Sequence, residues 1–373
     1  MNPYAFFARF SSDCTVGSAN QELVRLDRPR TVTGRCRYRL THGGTQFSLL
    51  FSNVIDSTYA DGSVSRAGDV GGTWTIHRLR IGLRDDDRAD EPAQWFPVTF
   101  DGASEKTVSG AEVFCTDPVA LHARAGQTLC YELTFTGDCC PHHPEALLPV
   151  EVQTNDGFVP DKRIPLPLII GCDRPVRRRI VFIGDSITQG IGTEAGSYAH
   201  WAARIAARLP DDCSVWDMGS GYARAADAAR DGAWLARAKT GDLVHVCFGV
   251  NDLYHDKRTA DEVLADLQSI VRALKCAGCT VILFTVPPFD WDGSRKIYWY
   301  RINDAIRAGA VAGIDGLFDF AAAAGWPAPH MHLAKYGGHP NAAGCQAIAD
   351  AYWAAIDGDP GLAAARAVIF GTE

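Results

Sequence analysis

The sequence has no surplus of positive charge: 36 Lys and Arg stand against 44 Asp and Glu, a formal net charge of −8. Without a basic footprint, neither nucleic acid nor an anionic membrane surface is an expected partner. Nor is there an apolar run of the ~18 residues needed to cross a bilayer. The first residues, MNPYAFFARFSSDC, lack a basic segment followed by an apolar stretch. No secretory signal is therefore expected, and the expected location is cytoplasmic. Internal repeats and low-complexity tracts are also missing. What is present is an ordinary globular composition, 47% hydrophobic and 21% charged, over 373 residues. That length suits roughly two or three domains.

Cysteine, by contrast, is plentiful: Cys14, Cys36, Cys115, Cys130, Cys139, Cys140, Cys172, Cys213, Cys247, Cys276, Cys279 and Cys345. A large chain without a leader is expected to keep such thiols reduced. Cys139-Cys140-Pro141-His142-His143 holds metal-ligand residue types, but its spacing fits no closed zinc pattern, so no metal is expected. Cys276-Ala277-Gly278-Cys279 is a lone CxxC without a thioredoxin-like setting and reads as buried small residues and a cap. His330 and His332 read as polar surface residues of a loop.

The chain divides in two by pattern. Residues 1–165 carry short β-branched or aromatic runs between Gly and Asp turns: Thr31–Leu40, Gln46–Asn53, Thr73–Leu83 and Leu129–Thr136. Strands without intervening helices predict a β-sandwich of the jelly-roll kind. Residues 166–179 fall in a segment with four prolines between Val159 and Arg179 and read as a linker. Over 180–373, apolar strands at Ile180–Ile183, Val215–Met218, Leu243–Phe248 and Val281–Val286 alternate with helical stretches. The helices are expected near Tyr198–Leu209, Ala223–Lys239, Ala260–Ala277, Tyr300–Val311 and Ala342–Ile356. This alternation predicts an α/β fold: a parallel sheet between two helical layers.

Chemistry-bearing residues gather where those strands end, the place where open α/β sheets build their sites. The first strand runs into Gly184-Asp185-Ser186-Ile187-Thr188-Gln189-Gly190. A serine at a strand-to-helix turn lies among backbone N–H groups that favour developing negative charge, although Asp-Ser is also a common helix cap. The second strand gives Asp217-Met218-Gly219-Ser220-Gly221-Tyr222, and the third Phe248-Gly249-Val250-Asn251-Asp252. Gly337-Gly338-His339-Pro340-Asn341 precedes the last expected helix. A nucleophile, a small residue with a free N–H, a side-chain amide and an imidazole are the parts of an acyl-transfer site.

The GDSIT, GxND and HPN segments, in this order, resemble the blocks of the SGNH (GDSL-type) hydrolase superfamily. The resemblance covers about residues 178–357. The β-rich first half, including Phe51-Ser52-Asn53 at a strand end, resembles the accessory domain of some bacterial members. The resemblance implies a three-layer α/β/α hydrolase domain preceded by an all-β sandwich. Ser186 would be the nucleophile and His339 its base. The oxyanion would be bound by the N–H of Ser186, the N–H of Gly221 (with Gly219 as fallback) and the Asn251 amide. Asp185 would buttress the turn. No cofactor is implied. The family's usual Asp three residues before the histidine is replaced by Tyr336, which leaves a Ser–His dyad. Asp315 and Asp319 are not assigned in its place.

Trp291, Trp299 and Tyr336 are the expected substrate-binding residues. The aromatics after the fourth strand resemble in position the family loop that borders the pocket, and sugar rings stack on such faces. The expected activity is hydrolysis of a small acyl ester through an acyl-enzyme, with O-acetyl groups on a carbohydrate as preferred substrate. The expected partner is a small-molecule or oligosaccharide ester; the oligomeric state is left open. A short-chain lipase-like or aryl esterase is the alternative within hydrolases. A non-catalytic carbohydrate-binding protein is the alternative outside them.

Overall fold

Alternating side chains build the first half. In the strand Trp74–Arg84, residues Trp74, Ile76, Leu79 and Ile81 are buried. The step of three between Ile76 and Leu79 breaks the period of two, and the pairing register shifts there, between Ile76 and Arg78. A bulge of this kind returns the apolar face to the core. The long strand Glu22–Arg39 pairs antiparallel with Thr128–His142 and loses register between Arg25 and Arg30. Pro29, which cannot donate a ladder hydrogen bond, lies in that break. These strands belong to a seven-stranded sheet, and Gly43–Ser52 belongs to a five-stranded one. Phe47, Leu49 and Phe51 of the smaller sheet share one core with Tyr131, Leu133 and Phe135 of the larger. The result is an antiparallel sandwich.

This computed structural model describes residues 3–17, 19–85, 91–325 and 332–371. From Arg178 a five-stranded parallel sheet follows. Its strand order is Cys213–Gly219, Arg178–Gly184, Leu243–Cys247, Thr280–Phe284 and Gly316–Phe318. The first four are the expected strands; the fifth has three residues, one of them glycine, and leaves no readable apolar run. Helices pack in two groups. One holds Ala225–Ala229, Ala260–Cys276 and Gly293–Arg307, and the other Trp201–Ala206, Phe320–Ala324 and Ala342–Gly358. The helix Ala260–Cys276 shows why the sequence folds so: Thr259 and Glu262 form a capping box, and Val263, Leu267, Ile270, Val271 and Leu274 make its buried stripe.

Three expectations are corrected. The single helix over Ala223–Lys239 is two, Ala225–Ala229 and Ala233–Ala238, because the chain turns at Asp231 with φ +54° before Gly232. The helix expected from Tyr300 begins at Gly293. The 166–179 stretch is not a free tether: Ile169–Cys172 is a strand paired with Gly43–Ser52. The halves also interleave at the N-terminus, where Phe6 and Phe10 join the core of the α/β half and the Phe7 ring lies 5.9 Å from that of Trp216.

Candidate active site

The strand Arg178–Gly184 is flanked by Cys213–Gly219 and Leu243–Cys247, so its C-terminal end lies between theirs. Gly184 is required there: a Cβ would fall 2.0 Å from Thr188 Oγ1 and 2.5 Å from the Cys247 carbonyl. Asp185 then caps the helix Ser186–Gln189, its Oδ1 accepting the Ile187 N–H at 2.9 Å. Gly190 closes the turn at φ +98°. Four residues make little macrodipole, so local N–H groups, not the helix, supply the positive potential. Burial, with the neighbouring Asp252 adding to it, pushes Asp185 up to about 7. Among the described residues Asp185 bonds to the turn, through the Ile187 N–H, and not to Ser186 Oγ or the His339 ring.

His339 reaches the serine from the far end of the chain. A small hairpin, Ala334–Tyr336 against His339–Pro340, turns through Gly337 and Gly338. Asn341 then caps the helix Ala342–Gly358 by accepting the N–H groups of Ala343 and Gly344. Between these anchors, His339 Nε2 lies 2.8 Å from Ser186 Oγ, and both residues are buried. Burial lowers His339 to about 4, opposed by the backbone carbonyl of Tyr336. The ring is therefore neutral near pH 7 and free to accept the serine proton. Nδ1 is buried and forms no hydrogen bond of regular geometry; the Tyr336 carbonyl is the acceptor that interacts with the ring. Among the described residues, no Asp or Glu carboxylate pairs with His339.

The oxyanion donors differ from expectation on one side. The Ser186 N–H has no acceptor among the described residues. Asn251 donates one amide proton to the Ala223 carbonyl at 3.0 Å, which anchors the side chain and leaves its second proton without an acceptor among the described residues. Gly221 is a correction: its N–H donates to Gln189 Oε1 at 2.7 Å. The fallback fares no better, since the Gly219 N–H is held by Asp217 Oδ1 at 2.8 Å. Gln189 captures Gly221 because it sits one helical turn past Ser186, facing the same loop. Its Nε2 donates in turn to the backbone carbonyl of Glu145, at 2.7 Å.

Aromatic rings run outward from the histidine. Tyr336 and Phe289 lie 4.6 and 5.5 Å from the His339 ring. Phe289 touches Trp291 and Tyr254, and the chain continues through His255 and Tyr222 to Tyr59 of the first half. Tyr336 is 54% exposed and Trp291 is half-buried, so both can present faces to a ligand. Trp299 cannot, which is a second correction. It is 3% exposed, and its Nε1 donates to the carbonyls of Val286 and Pro287. Trp299, Ile302, Asn303 and Ile306 are the buried face of their helix, a spacing visible in the sequence.

Sequence reasoning missed Glu145 and Gln21 altogether. Gln21 Nε2 donates to Glu145 Oε2, and that oxygen lies 1.7 Å from where a Cβ on Gly221 would stand. Tyr59, Tyr222 and Tyr336 are each raised, first by burial and then by the Glu145 charge. No local motif marks these two residues: Gln21 lies just before the strand Glu22–Arg39, and Glu145 lies in a turn after the strand Thr128–His142.

The twelve cysteines are free, and most are buried. Among the described residues, no group of three His, Cys, Asp or Glu is placed to hold a metal ion. His330 lies outside the described residues. No helix among those described is long and apolar enough to cross a membrane.

Residues 182–347 match the family model described as GDSL-like Lipase/Acylhydrolase. Among solved structures, the chain is similar to a member of the lipolytic protein G-D-S-L family from Veillonella parvula, at 17% identity and a TM-score of 0.40. That match covers 47% of this chain and 96% of the other. A family two carbohydrate esterase from Clostridium thermocellum, solved in complex with cellohexaose, is similar over 91% of this chain and 94% of its own, at 16% identity and a TM-score of 0.41. An α/β hydrolase from the metagenome of Lake Arreo shares 25% identity over 49% of this chain and 96% of its own, with a TM-score of 0.39. At such scores the likenesses are too distant to transfer a substrate. No curated protein matches the chain.

Proposed function

We propose, from the premise that residues 182–347 form a domain of the GDSL-like lipase/acylhydrolase family, that the protein is a serine esterase removing small acyl groups from carbohydrate hydroxyls. In this reading residues 1–165 act as an accessory sandwich and 180–373 as the hydrolase domain. The observation that carries it is the 2.8 Å contact between Ser186 Oγ and the neutral His339 Nε2. Ser186 Oγ attacks the acyl carbonyl while His339 takes its proton. The Ser186 N–H and the free proton of the Asn251 amide stabilise the oxyanion. His339 returns the proton to the leaving alcohol, and the acyl group stays on Ser186. Water then attacks that ester with His339 again as base, releasing the acid and restoring the serine.

Carbohydrate as the alcohol half is supported by the exposure of Tyr336, the half-buried Trp291 and the Tyr254, Tyr222 and Tyr59 rings that continue the same run of aromatic contacts. A protein that only binds sugar has no use for an aligned nucleophile and base. Ser186→Ala is expected to cut hydrolysis of a nitrophenyl acetate by at least about a thousandfold with an unchanged melting curve. A fluorophosphonate should add its mass to the wild type and not to the variant. Near wild-type turnover in Ser186→Ala would refute the mechanism. Faster hydrolysis of plain aryl or butyl esters than of acetylated sugars would favour the lipase-like alternative.

A further inference from the structure

We infer that Glu145, contributed by the first half of the chain, positions the alcohol half of the substrate: it accepts hydrogen bonds from a neutral, hydroxyl-bearing acceptor and turns away an anionic one. The inference rests on the esterase reading above. One carboxylate oxygen, Oε2, is fixed by the fully buried Gln21 and lies over Gly221, at the end of the strand beside the one that carries Ser186. The other oxygen has no hydrogen-bond partner among the described residues. The backbone of the same residue is locked by two bonds: Gln189 Nε2 to its carbonyl at 2.7 Å, and its own N–H to Gln21 Oε1 at 3.3 Å.

Backbone and one carboxylate oxygen are thus both held in place. Burial pushes the Glu145 carboxyl up, and its charge is felt by Lys162 and by three tyrosines: Tyr59 from its own half, Tyr222 beside Gly221, and Tyr336 beside His339. Those three belong to the aromatic wall where a sugar would lie. Lys162 is the cation nearest to it in electrostatic effect, and its Nζ donates to the Ala146 carbonyl at 2.5 Å. Ionised, as at about pH 8, Glu145 therefore sets an acceptor of negative potential beside Gly221. A sugar hydroxyl suits it, whereas a uronate carboxylate within about 4–6 Å would be disfavoured by about tenfold or more.

The test compares two acetylated sugars, an O-acetylated methyl glucoside and the matching methyl glucuronide, on the full chain at about pH 8. Wild type should prefer the glucoside by at least about tenfold in kcat/KM, mostly through KM. Glu145→Gln keeps the bond geometry to Gln21 without the charge and should shrink that ratio by about tenfold, chiefly by improving the glucuronide. A purely structural Glu145 would change both substrates together. An unchanged ratio in a variant that melts like wild type overturns the inference. If the variant does not fold, salt decides on wild type alone: raising ionic strength from about 0.01 to about 1 M should narrow the preference as the Debye length shortens, and an unchanged preference overturns the inference. Hydrolysis of nitrophenyl acetate without any preference between the sugars sinks this inference alone. No hydrolysis of any ester sinks the esterase reading with it.

Discussion

The loop that carries Ser186 is shaped mainly by its own half of the chain, whereas the loop that carries Gly221 is held largely by the other. Around the serine, Asp185 caps the turn and the Ser220 N–H donates to the Gly184 carbonyl at 3.0 Å, both contacts within the α/β half. His339 arrives on a hairpin braced by the helix that Asn341 caps. The Gly221 side is different. Ser57 Oγ meets Ser220 Oγ at 2.7 Å, Thr58 Oγ1 donates to Asp227 at 2.6 Å, and Arg224 donates to the carbonyls of Thr58 and Ala60. Arg237 pairs with Asp56, and Gln189 reaches Glu145. The proposed nucleophile and base thus belong to one unit of the chain, and the side proposed to bind the alcohol is shared between two. On the proposed roles, bond-breaking chemistry and substrate choice should be separable by substitution.

Breaking the interface is the most severe way to test that separation. Arg237 and Asp56 are both buried, at 8% and 0% side-chain exposure. Arg237→Ala leaves the Asp56 carboxyl without its cation, and losing one partner of a buried pair costs about 3–5 kcal/mol. Urea unfolding should show that loss. Nitrophenyl acetate turnover by the fraction still folded should change little, because the Ser186–His339 pair makes no use of this contact. If turnover collapses to the level of Ser186→Ala in folded protein, the two sides are not separable.

Asn251→Ala probes the other side of the comparison. It removes the proposed oxyanion donor and an anchoring bond to Ala223 at once. Donor loss in such sites costs about 3 kcal/mol in the barrier, or about a hundredfold or more in kcat. The stability cost should be nearer 1 kcal/mol, that of an ordinary hydrogen bond. Arg237→Ala and Asn251→Ala should therefore show opposite profiles. Equal kcat for Asn251→Ala and wild type would remove the amide from the oxyanion site.

What the sequence revealed follows the same division. Ser186, Asn251 and His339 were legible because each sits in a short segment whose glycines and caps are needed locally, at the end of a strand or the start of a helix. Gly184 shows this, since its neighbours leave no room for a Cβ. Glu145 and Gln21 were not legible, because their contacts cross more than a hundred residues: Gln21 to Glu145 spans 124, and Asp56 to Arg237 spans 181. Gly221 was half-read. Its place in the loop was foreseen, but the Gln189 side chain that takes its N–H could not be. Trp299 differs from expectation although its helical spacing is present in the sequence: a helix beginning at Tyr300 leaves it in a loop, whereas the helix begins seven residues earlier, at Gly293, and buries it.

The smallest effect concerns what steadies His339. With Tyr336 in place of a carboxylate, burial lowers the ring to about 4 and only the Tyr336 carbonyl opposes this. The base must be neutral to work, so kcat/KM in wild type should stay level down to about pH 5 and fall only as the ring protonates near pH 4. Tyr336→Asp places a negative charge beside the ring, favours the imidazolium, and should move that acid limb upward; an unmoved limb would mean the new carboxylate does not reach Nδ1. Tyr336→Phe keeps both the backbone carbonyl and the ring 4.6 Å from His339, and loses only the hydroxyl. Its kcat on nitrophenyl acetate should fall by less than about tenfold, with the acid limb unmoved. A larger fall would show that the phenol orients the imidazole. The steadying group would then be the Tyr336 side chain, and the main chain of the hairpin would no longer suffice as its replacement for a carboxylate.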